Sequence, residues 1–90
     1  MYAVVIKVIV NDKEAVLQAL PDVVVPMVKR NPGLITGYIT MKDNTGMGFW
    51  VMDSEAAANK MHEEVELRRD SLPPVVTLDS VEVREIVAHA

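Results

Sequence analysis

The sequence contains no cysteine, which excludes disulfide bonds and thiolate metal ligands. Its two histidines, His62 and His89, do not form an i, i+4 pair, and no carboxylate spacing completes a metal site. The chain also has no glycine-rich phosphate loop and no serine–histidine–aspartate or cysteine–histidine pattern. We therefore expect neither a metal nor an organic cofactor.

The chain has little positive charge. Nine basic residues stand against 13 acidic ones, which gives a formal net charge of −4. Nucleic-acid-binding proteins usually carry a basic patch. Here the densest basic spots, Lys29–Arg30 and Arg68–Arg69, are isolated pairs typical of solvated helix ends. We expect no nucleic-acid partner.

Long apolar runs are also missing. The most apolar segment, Tyr2 to Val10, is too short to span a membrane, and it has neither a basic leader nor a small-residue cleavage site. We therefore expect no membrane partner and no signal peptide, and a cytoplasmic location fits the composition best.

Apolar residues make up 50% of the 90 residues, a large share for one small domain covering 1–90. The segment Tyr2 to Val10 carries only one charge, Lys7, and does not alternate between apolar and polar residues. A strand without alternation needs cover on both faces. Two helices cover one face of a four-stranded sheet, so we expect a second copy of the chain to cover the other. The predicted assembly is a homodimer formed through sheet faces.

The apolar segments follow the order strand, helix, strand, strand, helix, strand. This order predicts an α+β fold of the ferredoxin-like βαββαβ type, with a four-stranded antiparallel sheet and two helices on one face. On the second strand, one predicted face carries Ile35, Gly37 and Ile39, and Leu34 belongs to the other. The predicted strands are Tyr2–Val10, Leu34–Met41, Met47–Met52 and Val81–Ala88, the last after a bend at Asp79–Ser80.

The first helix has a start signal and two interruptions. Asn11 and Glu14 have the spacing of a capping box. Pro21 and Pro26 each remove a backbone donor, so we expect a kink or break near Leu20. Apolar residues at i, i+4, i+7 and i+11 predict one buried stripe: Val16, Leu20, Val23 and Met27.

The second helix begins with Ser54 as N-cap and Glu55 at the positive end of the helix dipole. Pro73 and Pro74 are expected to end it. The residues predicted to be buried are Ala58, Met61, Val65 and Leu72.

Three segments carry a resemblance over nearly the whole chain: residues 26–38, which include Asn31-Pro32-Gly33, the stretch GMGFWVMDSEAAA at 46–58, and EVREIVAHA at 82–90. With these segments the chain resembles the dimeric α+β barrel superfamily, and within it the antibiotic-biosynthesis-monooxygenase-like uncharacterised proteins. The resemblance implies a dimeric barrel. It does not set one activity, because the superfamily hosts monooxygenases, haem-degrading enzymes and isomerases. The haem-degrading branch carries an asparagine on its first strand, and this chain has none there.

Three residues are candidates for a site. Trp50 and Tyr38 are candidate ligand-binding residues, although each is also compatible with the core or the dimer interface, and the Tyr38 hydroxyl with a place in solvent at a barrel mouth. His62 is the candidate catalytic residue because imidazole titrates near neutral pH, and its alternative is a helix-flank residue half in solvent. Six methionines suggest an adaptable apolar lining or a loosely specified core.

Lys7 lies in the middle of the most apolar strand. It is expected to pair with Glu82 or Glu85 on the last strand, and its alternative is a buried amine with a lowered pKa.

Two functions remain open at this point. The first is a cofactor-independent, monooxygenase-like enzyme or binder that holds a flat hydrophobic molecule in an apolar pocket between helices and sheet. The second is a non-enzymatic dimeric module with a structural or interaction role.

Overall fold

The structure is a computed structural model that describes residues 1–72 and 74–90. Pro73, expected to help to end the second helix, lies outside the described residues. The elements are β1 (Tyr2–Val10), α1 (Lys13–Ala19), a π-helical segment (Leu20–Val24), α2 (Val25–Lys29), β2 (Leu34–Lys42), β3 (Thr45–Met52), α3 (Glu55–Leu67), a 3-10 turn (Arg69–Ser71) and β4 (Val76–Glu85).

The four strands form one antiparallel sheet in the order β2-β3-β1-β4. Val28 of α2 and Met61 of α3 belong to the same buried cluster as Trp50 of β3, so both helical layers pack on one face of the sheet. This arrangement confirms the predicted ferredoxin-like α+β fold. The sheet is open, with β2 and β4 at its edges.

The first helix begins one residue later than the capping box predicted. Asp12 is the N-cap, and its Oδ1 accepts a hydrogen bond from the Ala15 N–H at 3.2 Å. The Asn11 amide instead donates to the Pro74 carbonyl at 3.0 Å and to the Thr77 hydroxyl at 3.1 Å. The predicted cap was wrong because Asn11 ties the end of β1 to the start of β4.

The kink or break predicted near Leu20 is confirmed, and it takes the form of a π-helical turn over Leu20–Val24. The Val25 N–H donates to the Leu20 carbonyl, five residues back. A π turn inserts one extra residue, so the side chains after it are rotated relative to a regular α-helix. Val23 is 59% exposed and Val28 is buried. The predicted stripe therefore fails in its second half: Val24 and Val28 take the inward positions assigned to Val23 and Met27.

A bulge changes the predicted faces of β2. Leu34 pairs with Met52 and Thr36 pairs with Val51, which leaves Ile35 as an extra residue. Leu34 consequently packs against the core, whereas Ile35 is 53% exposed. The sequence pattern instead predicts Ile35 on the same face as Gly37 and Ile39, and Leu34 on the other face.

A second bulge allows β4 to begin five residues earlier than predicted. Lys7 pairs with Ser80 and Val8 pairs with Leu78, so Asp79 is the extra residue. The strand continues through the expected bend at Asp79–Ser80, and it ends at Glu85 rather than at Ala88.

The same bulge decides the partner of Lys7. The Lys7 ammonium lies 3.7 Å from Asp79 Oδ2, and both side chains are more than 40% exposed. The prediction of Glu82 or Glu85 was therefore wrong. Glu82 is bound to Arg84 instead, at 2.6 Å.

Helix α3 follows its prediction more closely. The Ser54 hydroxyl accepts the Ala57 N–H at 3.2 Å, which confirms the cap, and Ala58 and Met61 are buried. The helix ends at Leu67, so Leu72 lies beyond it as a half-buried residue.

Candidate functional site

An apolar cavity of about 270 Å³ lies between the sheet and the helical layer. We call it the internal cavity. Its volume is close to the lower end of the roughly 300–1,000 Å³ typical of ligand sites. Its apolar lining comes from every strand and helix: Ile6, Val8, Val10, Val16, Leu20, Val24, Met27, Val28, Ile39, Met41, Met47, Trp50, Met61, Val65, Leu72, Val76 and Leu78.

The indole of Trp50 lies over two glycines of the sheet. Gly37 pairs with Trp50 across the strands, and a Cβ on Gly37 would overlap the indole carbons Cε3 and Cζ3. A Cβ on Gly48 would come within 2.9 Å of the indole Nε1. The missing side chains allow the ring to pack flat on the sheet. Trp50 is 8% exposed and lines the internal cavity as part of its sheet-side wall.

Trp50 also borders a second concave surface, at the edge of the sheet. This surface, the β2 groove, has a volume of about 760 Å³ and lies between the π-helical segment and β2. Leu20 lines both the groove and the internal cavity. The π turn that the two prolines produce therefore shapes the walls on both sides of the tryptophan.

Methionine supplies much of the flexible lining. Four of the six methionines in the chain line the internal cavity: Met27, Met41, Met47 and Met61. Their unbranched side chains adapt to ligands of different shape.

The internal cavity has a polar rim of which Glu64, Arg68 and Asn31 are part. Glu64 and Arg68 are one helical turn apart and contribute opposite charges. The Asn31 amide donates to the Val28 carbonyl at 3.1 Å. From the sequence, Arg68 was expected at a solvated helix end, and the i, i+4 spacing of Glu64 and Arg68 was the signal that they share a face.

The structure does not group the three predicted site residues. Tyr38 pairs with Phe49, so it lies on the face of the sheet opposite Trp50, and it is 66% exposed. His62 is half-buried on α3, next to Met61, and lies outside the lining of both concave surfaces. Of the three, Trp50 alone contacts the internal cavity, and the roles of Tyr38 and His62 stay predictions.

Shifted pKa values occur away from the cavity. The pKa of the Tyr2 phenol is raised above its ordinary value, first by hydrogen bonding to the Glu55 carboxylate and by the negative charge of that group, with a smaller effect from Glu85. The pKa of Glu66 is lowered, mainly because the Arg69 guanidinium donates to its carboxylate at 3.1 and 3.2 Å. These groups are solvent-accessible surface features, and we assign them no catalytic role.

Two kinds of feature are absent from residues 1–72 and 74–90. No three histidine, aspartate or glutamate side chains there come close enough together to hold a metal ion. No helix in these ranges has the length and apolar character needed to cross a membrane.

Comparison with known proteins supports the fold. No family model matches the chain, and no curated protein matches it. Among solved structures, the crystal structure of MupZ from Pseudomonas fluorescens is similar, with a TM-score of 0.67 and 12% sequence identity. The similarity covers 91% of this chain and 65% of that chain. At this identity, the likeness shows that the two chains share the ferredoxin-like α+β fold.

Proposed function

We propose that this protein binds a flat, largely apolar organic molecule in the internal cavity, stacked on the indole of Trp50. The observation that carries the proposal is the cavity itself, whose sheet-side wall includes an aromatic ring held flat by Gly37 and Gly48. Aromatic faces bind flat ligands by offset stacking, and apolar walls favour ligands that leave water.

The π-helical segment supports a ligand-binding role for this region. π turns are rare and frequently stand at functional sites. Here the turn places Leu20 and Val24 on the cavity wall. Together with the four methionines, it forms a wall that can adjust to its occupant.

The finer form of the proposal is a monooxygenase-like reaction of this molecule with molecular oxygen, as the family resemblance implies. A phenolic substrate would supply all the electrons, so that one oxygen atom enters a quinone product and the other leaves as water. His62 is the proposed proton carrier, because histidine is the side chain that most often moves protons in general acid–base catalysis. Changing His62 to alanine is expected to lower the oxidation rate about a hundredfold with little change in stability. Equal rates of quinone formation in the two proteins would remove His62 from the reaction.

We also propose that the protein is a homodimer joined through the sheet face opposite the helices, which we call the open face. The strand register places apolar side chains there, and the helical layer leaves them uncovered. Its apolar members, apart from residues that also line the internal cavity, are Ala3, Val5, Ile9, Tyr38, Phe49 and Val51. A second copy would cover this surface, and Tyr38 would then be an interface residue.

The fluorescence of Trp50 tests the binding proposal directly, because Trp50 is the single tryptophan. Titration with 2-naphthol, 1-hydroxyanthracene or menadione is expected to quench its emission at saturation and to raise the melting temperature. Met61→Trp is expected to fill the cavity and abolish the thermal shift. Val51→Leu, on the open face, is the control and should bind these probes as the parent does. Met47→Trp cannot serve as a control, because Met47 also lines the cavity.

The alternative function, a non-enzymatic dimeric module, is favoured by the open face. Under this alternative the apolar surplus of the chain serves association, and the internal cavity is a packing defect. A dimer that shows neither quenching nor a thermal shift with any of these probes would support the module and contradict the binding proposal.

A further inference from the structure

We propose that the molecule bound in the internal cavity carries a carboxylate or another organic anion, held at the cavity rim by the guanidinium of Arg68. This inference rests on the proposed binding function and adds the chemical class of the ligand. It starts from the contrast between an apolar interior and a rim that bears a cation.

Arg68 stands at the C-terminal end of α3, where its guanidinium reaches the cavity rim. Its side chain makes a weak contact, from Nη1 to the Met27 sulfur at 3.7 Å. Within the residues that the structure describes, its guanidinium forms no ion pair with a carboxylate. An arginine presents five N–H donors in a planar fork suited to carboxylates, so most of this donor capacity is available to a ligand.

The neighbouring arginine shows what a structural role looks like in this region. Arg69 donates two hydrogen bonds to Glu66 and a third to the Leu78 carbonyl at 3.3 Å, which joins the 3-10 turn after α3 to β4. A cation at a helix C-terminus also interacts favourably with the negative end of the helix dipole. That effect explains the charge of Arg68 but not its position on the rim of an apolar cavity.

Glu64 lies on the same rim and carries the opposite charge, so the charge of the ligand determines whether Glu64 opposes or favours binding. Its carboxylate is one helical turn from Arg68, and among the described residues no ion pair joins the two side chains. If the ligand is an anion, Glu64 opposes binding; if the ligand is a cation, Glu64 holds it. We favour the anion because Arg68 offers a bidentate donor set, whereas a lone carboxylate gives an ammonium a weaker, non-directional contact.

Three probes with the same ring system separate these cases: 2-naphthoate, the neutral 2-naphthamide and cationic 2-naphthylmethylammonium. Binding is measured by Trp50 fluorescence at pH 7 in low salt. We expect naphthoate to bind about tenfold more tightly than naphthamide, the size of one charge-assisted hydrogen bond at an exposed rim. Arg68→Gln should remove this preference, and Glu64→Gln should strengthen naphthoate binding about threefold.

Arg30→Gln is the matched control, because it removes the same charge from an exposed residue outside the lining of the cavity. It should leave the naphthoate preference unchanged. Equal affinities for naphthoate and naphthamide, tighter binding of the ammonium probe, or the same loss in Arg30→Gln as in Arg68→Gln would overturn the anion inference while the cavity remains a binding site. If none of the three probes binds, the proposed binding function fails as well.

Discussion

At the scale of single residues, the least conspicuous positions shape the candidate site. Gly37 and Gly48 carry no chemistry, yet their missing side chains leave the space in which the indole of Trp50 lies flat. Trp50 and Phe49 are neighbours in sequence and point to opposite faces of the sheet, one to the internal cavity and one to the open face. Successive side chains of a strand point to opposite faces of the sheet, so an aromatic residue lines the cavity only if it lies at an alternate position that faces the helices.

Gly37→Ala is therefore expected to displace the indole, because the new methyl group would overlap the ring and the sheet below cannot give way. We expect a loss of about 1–3 kcal/mol in the free energy of unfolding, as for other overpacked sites, together with a shift of the tryptophan emission. Urea denaturation followed by fluorescence measures both.

Gly46→Ala is the control for this experiment. Its Cβ would meet one methyl group of Val8, 3.0 Å away, and it lies clear of the indole. It should perturb stability less and leave the emission maximum in place. If Gly37→Ala retains both the stability and the emission spectrum of the parent, the flat packing of Trp50 does not require glycine at position 37.

At the scale of the elements, one extra residue recurs as the cause of departures from the predicted pattern. The π turn at Leu20–Val24, the bulge at Ile35 and the bulge at Asp79 each insert a residue into a regular repeat. Each insertion shifts the phase of the residues on one side of it relative to those on the other. Helix α3 contains no such insertion, and its predicted cap and first buried residues are correct.

Ser54→Ala is expected to cost about 1 kcal/mol of stability, because the free Ala57 N–H at the start of α3 loses its acceptor. Ser54→Asp retains an acceptor and adds a charge that the helix dipole favours, so it should stay within a few tenths of a kcal/mol of the parent. Thermal and urea unfolding measure both variants. Equal destabilisation by alanine and aspartate would show that the Ser54 hydroxyl does not act as a cap.

At the scale of the whole molecule, the sheet divides the apolar residues into two sets with different tasks. One set, with Val4 and Met52 fully buried, packs against the helices. The other lies on the open face, where no element of the described chain covers it. A small domain with this much uncovered apolar surface is expected to associate.

Light scattering at micromolar concentration should give about twice the chain mass of 10.0 kDa. Phe49→Asp is expected to produce a folded monomer. Phe49 lies outside the buried core, so the carboxylate introduced by the substitution would be exposed to water in the monomer and tolerated there. Val8→Asp, whose side chain faces the internal cavity, should instead unfold the chain. A parent protein that is monomeric at this concentration would contradict the dimer proposal.

Much of this molecule can be predicted from the sequence alone, because its apolar runs, turn residues and helix caps act locally. The element order, the Ser54 cap and the break near Leu20 are all confirmed. These features depend on backbone sterics and on side-chain periodicity over a few residues, which the sequence displays directly.

Only the tertiary structure decided which side chains meet. Lys7 is paired with Asp79 because a bulge changes the register of β4, and Leu34 is in the core because another bulge changes the register of β2. Tyr38 and Trp50 are separated by the thickness of the sheet, whereas Arg68 reaches the rim of the cavity that Trp50 lines. A single inserted residue changes which face the residues on one side of it share with those on the other, and its position depends on long-range pairing that no local pattern records.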